Sequence, residues 1–125
     1  MNLQKALDLT DEMRPNMMER NTKILFLTEI EQILFREILM KHEHDEDEEE
    51  LPQYDADTDP GTELLAPDPY SMLYVYWLMT KIDSQNLEFD KYNNDRSMFE
   101  NAYANFSDYW TREHMPLTAM PQFRL

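Results

Sequence analysis

Apolar residues recur along this chain at helical spacing, and four stretches carry the pattern. Leu3, Ala6, Leu7 and Met13 form a narrow stripe that predicts a helix over 2–13, with Asn2 as its N-cap. Pro15 ends it. Asn16, followed three residues later by Glu19, resembles a capping box, and a second helix is predicted from Met17 to about His42. Its Ile24, Leu27, Leu34 and Ile38 share one face. Phe26, Ile30 and Ile33 lie beside that face, and Leu25, Phe35 and Leu39 widen the apolar arc. More than half of the circumference is apolar, which is more than one buried face needs. The helix is therefore expected either to sit centrally in the fold or to touch another chain, with Phe26 and Ile33 as interaction candidates.

Asp68 as N-cap and Pro69 at the first helical position predict the start of a third helix. Tyr70, Leu73, Tyr74, Trp77, Leu78 and Ile82 continue it, and Ser84–Asn86 reads as a short turn. The fourth stretch has the clearest period: Phe89, Tyr92, Arg96, Phe99, Tyr103, Phe106 and Trp110 are spaced 3, 4, 3, 4, 3, 4. This predicts an aromatic core seam, whose burial would contribute roughly 10–20 kcal/mol gross. Arg96, within the seam, is expected to stack on a ring or to pair with a carboxylate such as Asp83. Asn93 and Asn94 fall mid-helix, where asparagine is disfavoured. The short turn makes helices three and four an antiparallel hairpin. The expected architecture is all-α, a single domain over 1–125 built as a small bundle of about four helices. A long acidic loop (43–67) and an extended C-terminal tail (116–125) complete it.

Composition sharpens this picture. The chain has 125 residues, one glycine and no cysteine. That argues against turn-rich all-β folds and excludes glycine-rich phosphate loops, disulfides and thiolate-held metals. No apolar stretch preceded by basic residues opens the chain. The most apolar run, Ile24–Met40, carries Glu29, Glu31, Arg36 and Glu37, too many charges for a membrane span. The formal net charge is −15, and it is concentrated: 43–63 holds 11 acids and no Lys or Arg, including the run Asp45, Glu46, Asp47, Glu48, Glu49 and Glu50. Direct phosphate binding is disfavoured by this balance.

Candidate chemistry fails motif by motif. His42 and His44 are two residues apart, whereas two metal ligands on one helical face need i and i+4. Asp55–Gly61 resembles the start of a calcium loop, but Pro60 and Ala66 occupy the positions that need glycine and glutamate. A turn closed by its own aspartates is the expectation there. His114 sits in the tail beside no nucleophile, and the serines lie in no nucleophile-elbow context. No catalytic, cofactor-binding or metal-binding residue is assigned, and no enzymatic role is expected.

Several segments together carry a family resemblance. They are Tyr54–Asp59, Thr62–Tyr70, Tyr74–Asp83, Lys91–Asn94, Phe99–Tyr103 and Trp110–Pro116. Over roughly 54–116 the chain resembles head–tail connector (adaptor) proteins of tailed phages and prophages of Gram-positive hosts. The resemblance implies a helical structural protein of the virion neck, made in the host cytoplasm. It would dock on the portal protein as a homo-oligomeric ring, expected as a dodecamer, extend the DNA channel, and offer a surface to neck or tail components. It implies no cofactor, no membrane and no sequence-specific nucleic-acid binding. The run Asp45–Glu50 is not part of the resemblance. A negative wall would keep sliding DNA from sticking, so the acidic loop is expected to face the lumen or solvent. Phe123 and Leu125 are expected to anchor the tail on the portal or an adjacent subunit. A reading from another class is an acidic regulatory protein that mimics DNA, but clustering of the charge in one loop disfavours it.

Overall fold

Asn2 begins the first helix as its position predicts: its side-chain oxygen accepts from the Lys5 amide at 2.8 Å. The computed structural model describes residues 1–45 and 49–117. Among them are four α-helices and no β-strand: α1 (Leu3–Met13), α2 (Arg20–Glu37), α3 (Met72–Gln85) and α4 (Phe89–Glu113). A 3₁₀ turn, Leu39–Lys41, follows α2. The fold is the all-α bundle expected from the periodicity. No helix of the described residues is long and apolar enough to cross a membrane.

The core forms where the apolar stripes meet. Leu3, Ala6 and Leu7 of α1 pack with Ile24, Leu27, Ile30 and Leu34 of α2 and with Leu73, Tyr74 and Leu78 of α3. α3 and α4 form the antiparallel hairpin. Trp77 meets Phe99 with ring centroids 5.0 Å apart, while Tyr70, earlier in α3's approach, stacks on the later Tyr109 at 4.6 Å. The turn between them places Leu87 in the left-handed region at φ 57°. Its amide and those of Asn86 and Glu88 bond back to Ser84, Ile82 and Asp83 carbonyls.

Three boundaries differ from the expectation. α2 starts at Arg20, not Met17, with Glu19 as a cap that makes no side-chain bond. Asn16 is used locally instead, accepting from the Met18 amide and donating to Asp11 and to the Arg14 carbonyl. The α-helix ends at Glu37 rather than near His42, where the chain tightens into the 3₁₀ turn. α3 starts at Met72 rather than at Pro69: the Asp68–Pro69 peptide is cis, Tyr70 N bonds to Pro67 O, and the Asp68 carboxylate accepts from the Ser71 hydroxyl.

The long connection is not a free excursion. Its second half is built into the bundle, with Leu64 and Ala66 buried. Leu3 and Gln4, first-turn amides with no intrahelical acceptor, donate to the Thr62 and Pro60 carbonyls at 2.9 and 3.0 Å. Leu64 N returns a bond to Met1 O. Asp55 and Asp59 close their own turns by accepting from the Asp57 and Gly61 amides, each at 2.8 Å. The first described residues of the tail pair antiparallel with the stretch after α2: Glu43 N bonds to Met115 O and Leu117 N to Lys41 O.

Candidate functional site

The aromatic seam on α4 keeps its predicted line over Phe99–Trp110 and departs from it towards the start of the helix. Phe99 and Phe106 are buried, and Tyr92, Tyr103 and Trp110 are half-buried. Phe89 is 67% exposed, and Arg96 is exposed too. Asp95 is buried in the place expected for Arg96. The cause is a charge cluster that the heptad pattern does not reveal. Arg14, just past α1, reaches Asp95 at 2.8 Å and Asp83 of α3 at 3.2 Å. Both carboxylates are nearly fully buried, and turning Asp95 inward carries its neighbour Arg96 to the surface. Burial, together with the neighbouring Asp95 carboxyl, pushes the Asp83 carboxyl up to about 7. Arg96 instead pairs with Glu100 at 3.0 Å and approaches the Tyr92 hydroxyl at 3.5 Å. The expected Arg96–Asp83 pair is thus replaced by Arg14–Asp83. Asn93 and Asn94 are exposed.

A second buried polar centre lies on α2. Glu31 has no solvent exposure. It accepts from the Tyr54 hydroxyl at 2.8 Å, from the Tyr74 hydroxyl and from the Leu65 amide at 3.0 Å. Tyr74 in turn accepts from the Ala66 amide at 2.7 Å. Burial raises the Glu31 carboxyl despite the hydrogen bonds that oppose it. One carboxylate therefore ties the connecting segment to α2 and α3. Both centres draw their partners from separate elements and hold helices together; in the first, Arg14 Nε and the two Asp83 carboxylate oxygens make no hydrogen bond and the contact to Asp83 is an ion pair.

What faces outward is an apolar strip on α2. Leu25 is 65% exposed, and with the half-buried Phe26 and Ile33 it lines a groove of about 720 Å³. Thr28, Glu29, Gln32, Arg36, Glu37 and Gln53 complete the lining. Past Ile33 and Glu37 the groove runs into a hollow between α2, α3 and α4, floored by Ile30, Trp77, Phe99 and Tyr103. Its walls are braced. Trp77 donates to the Phe26 carbonyl at 2.9 Å, and Tyr103 donates to Glu37 at 2.8 Å. Lys81 lies 4.3 Å from the Trp77 ring and 5.3 Å from the Phe26 ring, and pairs with Glu29 at 3.4 Å. Burial and the Glu37 carboxylate hold the Tyr103 hydroxyl protonated far above its ordinary range. The strip is thus a preformed surface with fixed polar edges, suited to a protein segment more than to reaction chemistry.

The histidines take structural positions. His42 Nδ1 faces the Ile38 carbonyl at 2.6 Å and its Nε2 the Thr111 hydroxyl at 3.2 Å. His44 Nδ1 faces the His42 carbonyl, and the His114 ring stacks on Trp110 at 3.8 Å. Among the described residues no group of three or more His, Asp or Glu is placed to hold a metal ion. Asp45, Glu49 and Glu50 are exposed; Glu46, Asp47 and Glu48 lie outside the described residues, as do Phe123 and Leu125. No family model, curated protein or solved structure matches the chain, so its function rests on its own residues.

Proposed function

We propose that this chain is a structural adaptor of a tailed-virus particle, a head–tail connector that docks as a ring on the portal, lengthens the DNA channel and receives a neck or tail component. The observation that carries the reading is the outward strip of Leu25, Phe26 and Ile33. Leu25 is exposed, and Phe26 and Ile33 beside it stay half-exposed after the core is complete. Contiguous exposed apolar surface on a small protein marks a contact with another chain. The strip adjoins aromatic residues and an arginine, the types that carry interface energy. The sequence resemblance over 54–116 supplies the class of assembly. The exposed acids at 45, 49 and 50 suit a surface turned toward DNA or solvent, where repulsion prevents sticking. On this reading the protein has no catalytic step and no cofactor. Its buried ionisable residues serve cohesion between helices.

The reading is tested by mixing the purified chain with the portal ring of its own particle and following sedimentation. Portal-bound multimers are expected. A chain that remains unbound at micromolar concentrations and instead associates with a nuclease or polymerase would replace this reading with the DNA-mimic one.

A further inference from the structure

We infer that residues 14–19, between α1 and α2, form a proton-controlled strap: it lies closed over Asp83 and Asp95 while that pair holds one proton, and departure of the proton opens it to water. The inference concerns the fold of the chain and is independent of the adaptor reading.

Charge balance comes first. Two carboxylates and one guanidinium meet at this junction. The Asp83 and Asp95 side chains are 1% and 3% exposed, and Arg14, at 17%, is the group nearest to solvent. One guanidinium neutralises one carboxylate, so a second ionised carboxylate in so dry a site is uncompensated. Other charges around the junction do not redress this. Glu88, on the α3–α4 turn, adds to the negative field at Asp83 and is itself paired with Lys91 at 2.5 Å. Lys23 of α2 is taken up by Asp11 of α1 at 2.5 Å, and Arg96 of α4 by Glu100 at 3.0 Å. The geometry puts the proton on Asp83. Asp95 has the closer guanidinium contact, 2.8 Å against 3.2 Å, and both Asp83 oxygens lack a hydrogen bond. Burial, with Asp95 beside it, raises the Asp83 carboxyl to about 7, in agreement.

The element free to yield is the strap. Ring contacts and a tight turn join α3 to α4 on the other side of the cluster. Residues 15–19, by contrast, are irregular, and Met17 is 98% exposed. Asn16 bonds within the stretch itself and to Asp11, and Arg14 ties the strap to the hairpin. Opening brings water to Asp83, which then ionises as an ordinary carboxyl, so opening releases a proton. The sign follows from linkage. Closure is strongest below the ordinary value of 3.8, and the open population rises about tenfold per pH unit up to about 7, where it levels off.

The test is amide hydrogen exchange on the full-length chain, read as protection relative to the intrinsic rate of each amide. The Arg14 amide, bonded to the Thr10 carbonyl at 2.8 Å, and the Met18 amide, bonded to the Asn16 side chain at 3.0 Å, report on the strap. Their protection should fall about tenfold per pH unit from roughly pH 5 to roughly pH 7 and stay level above. The amide of Leu34, in the core, should remain more protected than both throughout. Asp83→Asn should give strap protection that does not vary with pH, whereas a change in packing alone would alter its level and leave the slope. In the native chain the Asp83 carboxyl carbon, followed by NMR, should titrate near neutrality. Titration of that carbon in the ordinary carboxyl range would overturn the proposal. So would a pH slope that persists in Asp83→Asn, or strap amides that exchange no faster than Leu34.

Discussion

Replacing Glu31 by leucine keeps a similar volume and removes every hydrogen bond that the carboxylate accepts. Glu31 is fully buried and serves the Tyr54 and Tyr74 hydroxyls and the Leu65 amide. Tyr54 is half-buried and can turn toward water, but Tyr74 is buried and Leu65 N is held by its segment. Two donors are left without an acceptor, at about 1–3 kcal/mol each. Relief from burying a carboxylate offsets part of that. The net expectation is a loss of about 2–4 kcal/mol. Tyr74 keeps its bond from Ala66 N, so adding Tyr74→Phe should cost less than it does in the native background. Urea unfolding followed by the two tryptophans gives the stability of each variant. Limited proteolysis then locates the damage, which is expected as faster cleavage within 52–66 before global unfolding. A change below about 0.5 kcal/mol, the level of an ordinary surface substitution, would refute the view that Glu31 ties the connecting segment down.

Three further outcomes follow from the same geometry. Arg14→Met leaves Asp83 and Asp95 buried without their cation, and thermal unfolding at pH 7 should show a loss of about 3–5 kcal/mol. Asp83 titrates near 7 in the fold against an ordinary 3.8, so its contribution to stability is complete at acid pH and is lost as pH rises toward 7. Asp83→Asn should remove that dependence and exceed the native chain at pH 7 by up to about 4 kcal/mol while matching it near pH 4, as read by denaturant midpoints across pH. Leu87 is 71% exposed and held at φ 57°, so Leu87→Gly should raise stability by about 0.5–1 kcal/mol in chemical denaturation.

The helices were legible because their signals are local. Apolar residues at i, i+3 and i+4 reveal α1, the body of α2 and the α3–α4 hairpin without knowledge of what they touch. Boundaries were less so, since Asn16 and Asp68 are good caps that the structure uses for turns, and a side chain bonds equally well to a loop amide. The two polar centres were invisible for a different reason. Glu31 finds Tyr54 and Tyr74, 23 and 43 residues away, and Arg14 finds Asp95 across 81 residues. No spacing rule links such partners. One signal was present: Glu31 falls in the seam of Ile24, Leu27, Leu34 and Ile38, where an acid implies buried donors. On α4 the arginine stood in the periodic position, yet the neighbouring aspartate is the buried one. Asp95 shares a face with Phe99, four residues on, and a distant arginine decides that this position, not the next, is the buried one. The surplus apolar arc of α2, by contrast, was readable from spacing alone: Ile30, Phe35 and Leu39 go to the core, and Leu25 with the half-buried Phe26 and Ile33 is the part left outward.

The central claim is that this strip is where the protein meets its assembly. Leu25 and Ile33 can be changed to aspartate separately, with helicity measured to establish that each variant folds. Native mass measurement then counts the copies carried by the portal ring. A full ring is predicted for the native chain, with few or no copies of either variant. Variants that are folded and load the portal like the native chain would contradict the claim.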